Sequence, residues 1–131
     1  MLTICDTHAL VFWGLEPDRL SGLARETMAR GREEGDLACC DISFWEVALL
    51  FARGRLTPPL TATEFMHLLT DELRLSVLPI TPEIATLSQS DVMSHKDPAD
   101  RLIAATALHH RAPLVTADDK LHALQALHCV W

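Results

Sequence analysis

Leu2-Thr3-Ile4-Cys5-Asp6-Thr7-His8-Ala9-Leu10 decides how the rest of the chain is read. Leu2 to Cys5 is a short β-prone run that stops at an acid. From Thr7 to Trp13 the pattern turns helical, with Leu10 three residues before Trp13. The same alternation recurs downstream. Ser21 is a good N-cap for a helix over Gly22 to Arg32, where Leu23, Ala24 and Met28 fall at helical spacing, and Gly35-Asp36 closes it. Leu37 to Cys40 reads as a second, buried strand. Ser43 is placed to cap a helix from Phe44 to about Arg53, with Gly54 suited to the position beyond its end. Pro58-Pro59 is a break, and Thr61 or Thr63 starts a helix to about Leu73. Leu75 to Ile80 is strand-like, with Pro79 placing its end near Leu78. Pro82 opens a helix to near Ser90 and Asp97-Pro98 another to His110. Leu114 to Thr116 is a fourth strand, Lys120 to Leu127 a short helix, and Cys129 to Trp131 a last edge strand. This order predicts an α/β fold, three layers deep, with a central parallel sheet of four to five strands and helices on both faces.

Composition bounds the chemistry. The chain has 131 residues, 49% of them apolar and 22% charged, which is one domain over residues 1–131 and excludes wholesale disorder. No stretch approaches the roughly 18 apolar residues of a membrane span. Met1 to Trp13 lacks a basic leader and carries Asp6, so a signal peptide is not expected. Four cysteines, two of them adjacent at Cys39 and Cys40, suit buried thiols in a reducing cytoplasm better than a disulfide framework. Eighteen acids against eleven Lys and Arg give a net charge of −7, which disfavours nonspecific coating of nucleic acid but leaves room for a local basic patch or bound metal ions.

In a parallel sheet, sites form beyond the carboxyl ends of the strands, where strand order reverses. Acids gather there: Asp6 after the first strand, Asp41 and Glu46 after the second, Asp97 and Asp100 opening the helix before the fourth, and Asp118 and Asp119 after it. Two unit charges about 4 Å apart repel by about 4 kcal/mol at an effective dielectric of about 20, so such a cluster asks for a cation. Oxygen ligands without a matched Cys or His set point to Mg²⁺ or Mn²⁺, the apparatus of phosphodiester hydrolysis by activated water. Helix capping explains Asp6 equally well, is the better reading of Asp97, and offers an alternative for Asp118-Asp119 as a cap and its neighbour. Glu46 is different: its helical neighbours Ile42, Leu49 and Leu50 are apolar, so its carboxylate must be protonated, metal-bound or paired, with Arg101 as one partner.

Five blocks in order carry a resemblance: Ile4 to Leu10, Ile42 to Ala48, Gly54-Arg55-Leu56, His95 to Ala107, and Leu114 to Asp118. Together they resemble the PIN-domain family and, more narrowly, the VapC-type ribonuclease toxins of bacterial toxin–antitoxin pairs. The resemblance implies a PIN-like fold and a Mg²⁺ or Mn²⁺ site of Asp6, Glu46, Asp100 and Asp118. It also implies Asp97 as a helper behind those ligands, Thr116 orienting a carboxylate or water, and Asp119 as a bystander. The activity implied is metal-dependent endoribonuclease cleavage of RNA by water, restrained by a cognate antitoxin protein, in a cytoplasmic homodimer. Arg53, Arg55, Lys96, Arg101 and Lys120 are the cations near the rim for substrate phosphates, each also readable as surface charge.

The histidines lack a tetrahedral ligand set, His95 and the His109-His110 pair included, and His8 reads as a helix-face residue near the site. Trp13, Phe44, Trp45 and Phe51 read as core or dimer contacts rather than base-stacking platforms. Two other classes compete. One is a non-catalytic module of the same fold that binds protein or RNA. The other is a phosphoacceptor domain, disfavoured because Asp6 has no paired acid and no lysine follows the last strand.

Overall fold

The computed structural model describes residues 1–56 and 59–131, so of the Pro58-Pro59 break Pro58 lies outside the described residues. Five strands, β1 (Thr3–Cys5), β2 (Leu37–Cys40), β3 (Ser76–Leu78), β4 (Leu114–Val115) and β5 (Cys129–Val130), form one sheet in the order β3-β2-β1-β4-β5. Every pairing is parallel, with Ile4 opposite Ala38 and Leu114, and Cys5 opposite Cys39 and Val115. The first two crossovers run to one side of β1 and the last two strands lie on the other. Strand order therefore reverses between β1 and β4, and a crevice opens beyond their carboxyl ends.

Side-chain alternation divides the strands between two cores. Ile4, Ala38, Cys40 and Leu114 face α5 (Pro82–Leu87), α6 (Pro98–His109) and α7 (Asp119–His122). Cys5, Leu37, Cys39 and Val115 face α1 (Thr7–Leu15), α2 (Gly22–Glu34), α3 (Ile42–Ala52) and α4 (Ala62–Leu73). The predicted three layers are these. Cys5, Cys39 and Cys40 are buried at the centre of the sheet, and Cys129 on the edge strand is half-buried. Phe51 and Trp13 join the first core as expected, whereas Trp45 is 56% exposed.

Caps and turns fall mostly where their chemistry places them. Ser21 and Thr61 accept from the backbone N–H groups of Ala24 and Glu64, and Gly35 and Gly54 supply the positive φ that closes α2 and follows α3. Several expectations need correction. Ser43 is not a cap but the buried second residue of α3, which starts at Ile42; Asp41 holds the cap position, its side chain turned to the Ile80 N–H instead. The third strand ends at Leu78, as Pro79 implies, and starts at Ser76, one residue later than expected. Helix α5 stops at Leu87, where Ser88 and Ser90 hydroxyls donate to the Ala85 and Leu87 carbonyls. Helix α7 stops at His122. Beyond it, N–H groups of Leu124 and Leu127 donate three residues back, so Leu121, Leu124 and Leu127 are buried at a spacing of three rather than in an α-helix.

Close packing also makes one glycine necessary for space. A Cβ on Gly14 would lie 2.8 Å from Phe65 Cε1 and 3.0 Å from its Cζ, and that ring is buried against Phe51 at a centroid distance of 5.7 Å. Overpacking costs about 1–3 kcal/mol against a helix-propensity gain of up to about 1 kcal/mol. Gly14→Ala is therefore expected to lower unfolding free energy by about 1 kcal/mol, read from urea midpoints; an unchanged or raised midpoint would refute this packing argument.

Candidate metal centre

At the reversal point between β1 and β4 lies an open cleft of about 290 Å³ lined by Asp6, His8, Ala9, Phe12, Asp100, Ala117, Asp118 and Trp131. Asp6 enters it because β1 ends there: its N–H still donates to Val115 O on β4, while Oδ1 accepts from Ala9 N–H at 2.8 Å and caps α1. Asp118 caps α7 through Oδ1, which accepts from Lys120 N–H, and its own N–H donates to Thr116 Oγ1 at 3.1 Å. Asp97 caps α6 by accepting from the N–H groups of Ala99 and Asp100. Capping and site readings of these acids are thus compatible. A carboxylate has two oxygens with several lone pairs, so giving one oxygen to a helix N-terminus leaves acceptor capacity for a ligand, even at Asp118, whose Oδ2 also meets His95 Nε2 at 2.9 Å.

Two groups of side chains bring donor atoms within 4.8 Å of one another: His95 with Asp100 and Asp118, and Glu46 with Asp97 and Asp100. Asp100 is shared by both, and Asp6 borders the same cleft. The predicted quartet Asp6, Glu46, Asp100 and Asp118 is therefore brought to one place, with Asp97 beside it. Asp41 bonds the Ile80 N–H instead, and Asp119 is exposed in the first turn of α7. The donors are carboxylate oxygens with one imidazole alongside, a set that suits a hard divalent cation.

Glu46 is held from α1. Thr7 Oγ1 hydrogen-bonds Glu46 Oε1 and lies 2.9 Å from Ser43 Oγ, so the chain is satisfied when Ser43 donates to Thr7 and Thr7 to the carboxylate. Arg101 is not its partner; its Nε donates to Ser88 O at 2.9 Å. Among the described residues Arg53, Arg55, Lys96 and Lys120 are exposed and form no ion pair.

Electrostatics records the crowding. Burial, then neighbouring Asp97 and Glu46, push Asp100 up to about 7. Burial raises Asp6 as well, against the opposing pull of Thr116 and the Ala9 N–H. Burial, opposed by the Thr7 hydroxyl, raises Glu46. Asp118 moves the other way: burial alone would raise it, but hydrogen bonds from His95 and the Lys120 N–H bring it below the ordinary range.

These directions set a pH dependence. Asp100 takes its proton at about 7 in the fold and near 3.8 when free of it. Between those values the native state holds a proton that the unfolded state has released, so rising pH erodes stability; below 3.8 the penalty vanishes and above about 7 it is constant. Asp6 and Glu46 add in the same sense and Asp118 opposes them in acid. In metal-free protein, the melting temperature of Asp100→Asn relative to wild type is expected to climb as pH goes from about 4 to 7. A difference that stays flat across that interval would show that Asp100 is not under strain.

Sequence reasoning set His95 aside for want of a tetrahedral ligand set, read Ser43 as a cap and gave Thr7 no role in the site. Thr7 had a usable signal, since it lies three and four residues before Leu10 and Val11, on the face of α1 that is buried. His95 opens one of the five blocks of resemblance, but it lies in the irregular segment between α5 and α6, where no periodicity specifies its direction.

Comparison with known proteins agrees with this geometry. The PIN domain pattern matches residues 3–127. The chain is 34% identical over 121 residues to Ribonuclease VapC22 of Mycobacterium tuberculosis, covering 92% of this chain and 89% of that protein. Its fold is similar to a chain of VapBC2 from Rickettsia felis, solved bound to a DNA fragment from their promoter, with a TM-score of 0.75 at 14% identity over 98% of this chain and 97% of that one. DNA-bound VapBC from Salmonella typhimurium gives a TM-score of 0.70 at 16% identity, with the same coverage of 98% and 97%. Matched along nearly its whole length, with acids assembled where its strand order reverses, this chain belongs to the PIN-domain family and is a homologue of the VapC ribonucleases.

Proposed function

We propose that this protein is a metal-dependent endoribonuclease in which Asp6, Glu46, Asp100 and Asp118 hold Mg²⁺ or Mn²⁺. The observation that carries the reading is that Asp6, Asp100 and Asp118 line one cleft while Glu46 meets Asp100 in a second group of donors, with the Asp100 carboxyl pushed up to about 7 by burial and its acidic neighbours. A divalent ion bound there supplies activation of water and neutralisation of charge on the scissile phosphate. The chain does the rest. Helix N-termini hold Asp6 and Asp118 by one oxygen each, Thr116 steadies Asp6, and the Ser43–Thr7 pair aims Glu46. Asp97 helps from behind by fixing the first turn of α6 that carries Asp100. Phosphates flanking the cut would meet Lys120, exposed in α7 beside Asp118, and Arg55; Arg101 has its Nε committed to Ser88 O, leaving its terminal nitrogens for this role. Attack by water leaves a 3′-hydroxyl and a 5′-phosphate.

The partners follow from the relatives. Solved complexes such as the Rickettsia felis and Salmonella typhimurium VapBC assemblies support a cognate antitoxin protein as the regulator, and the family resemblance supports a homodimer. No described helix is long and apolar enough to cross a membrane.

The test is incubation of a small-RNA pool with purified protein in Mg²⁺ or Mn²⁺ against EDTA, beside Asp6→Asn, with product ends mapped. Cuts that need metal, leave 5′-phosphates and vanish in Asp6→Asn are expected. Cleavage that survives both EDTA and the substitution would overturn the mechanism. Light scattering of the same sample checks for the dimer.

A further inference from the structure

His95 is the nitrogen base that contacts two carboxylates of the site, Asp100 and Asp118. It is buried, at 7% exposure, in the segment leading into α6. Its Nε2 lies 2.9 Å from Asp118 Oδ2 and 3.3 Å from Asp100 Oδ2, and its Nδ1 lies 3.0 Å from the backbone nitrogen of Asp97. That last contact decides the chemistry of the ring. A backbone amide can only donate, so Nδ1 accepts and the ring proton sits on Nε2. The nitrogen facing the acids is therefore an N–H, and its reach to both oxygens ties the N-cap of α7 to the first turn of α6.

A histidine that ligates a metal does the opposite: it presents a lone pair to the ion and donates its other N–H to an acceptor. For His95 to ligate through Nε2, the Asp97 N–H would have to lose its acceptor. We infer that His95 is a positioning residue that sets the Asp100 and Asp118 carboxylates against each other by donating Nε2–H, and that it does not itself coordinate the ion. The inference rests on the reading of these acids as a divalent-metal site.

Wild type, His95→Ala and His95→Gln, stripped with EDTA, would be titrated with Mn²⁺ by calorimetry. Glutamine ends in an N–H donor at a similar reach and offers no ring nitrogen. The Mn²⁺ dissociation constant is expected to rise about 10-fold or more in His95→Ala and to return to within about 3-fold of wild type in His95→Gln. Pulsed EPR of Mn²⁺-loaded wild type is expected to show no directly bound nitrogen. In the metal-free protein, ¹⁵N NMR of the His95 ring is expected to place the proton on Nε2. Equal affinities in all three proteins would overturn the positioning role. So would a coordinated nitrogen that disappears in His95→Ala, or a ring proton on Nδ1. Should His95→Ala fail to fold, the wild-type spectra and His95→Gln carry the test alone. Wild type that takes up no Mn²⁺ would sink the metal reading itself, an outcome distinct from binding that ignores His95.

Discussion

Asp100→Asn is expected to abolish RNA cleavage while making the metal-free protein more stable at neutral pH. Both effects come from one carboxyl. Asp100 belongs to the two donor groups at once, so an amide there weakens each of them. A metal ion contributes several kcal/mol of charge stabilisation during phosphodiester hydrolysis, which corresponds to a loss on the order of 1,000-fold in rate. The same substitution removes a buried charge that Asp97 and Glu46 repel, so the empty site relaxes. Asp97→Asn is the informative contrast. Asparagine caps a helix about as well as aspartate, and activity is expected to fall no more than about 10-fold, the scale of a supporting contact. Single-turnover rates on a mapped RNA substrate, with melting curves alongside, check both variants. Cleavage by Asp100→Asn within about 10-fold of wild type would remove Asp100 from the ligand set.

Ile103→Ala is expected to produce the largest loss of stability. Ile103 is fully buried one turn after Asp100, in the core where α6 rests on Ile4, Ala38 and Leu114. Truncating such a side chain removes apolar burial and leaves a cavity, at a cost of about 2–5 kcal/mol. That is a large share of the roughly 5–15 kcal/mol that holds a domain folded, and lowers the melting temperature on the order of 10 °C. Urea unfolding measures it directly; a loss below about 1 kcal/mol would mean that α6 is less tightly seated than its burial shows. Activity of Ile103→Ala in the cold, where the protein stays folded, separates this effect from damage to the acids themselves.

The alternation of strands and helices was legible because Ile4, Cys5, Leu37 to Cys40, Leu114 and Val115 are small, apolar and punctuated by caps. The carboxylates were legible for a related reason: a parallel strand exposes whatever follows its last residue, so Asp6 and Asp118 had to meet at a common rim. What escaped was contact across elements. Ser43 looks like a cap because serine caps helices, yet its hydroxyl serves Thr7 from inside α3. Lys120 to Leu127 looks helical because lysine and leucine favour helices, whereas burial at a spacing of three draws Leu124 and Leu127 into tighter turns. Tertiary burial overrode propensity in both places. The shift of Asp100 to about 7 likewise depends on distances to Asp97 and Glu46 that no linear spacing specifies.

The thiols at the middle of the sheet make the protein its own unfolding clock. Cys5 and Cys39 face each other across β1 and β2, both are buried, and burial pushes Cys39 up to about 12 and Cys5 well above its ordinary value. An alkylating reagent attacks thiolates, so it reaches these sulfurs when the two strands part and water enters. Half-buried Cys129, on the edge strand, answers to fraying of that edge instead. Timed alkylation followed by peptide mass analysis therefore reads the opening free energy of the central strand pair and of the sheet edge separately, without adding a probe to the chain.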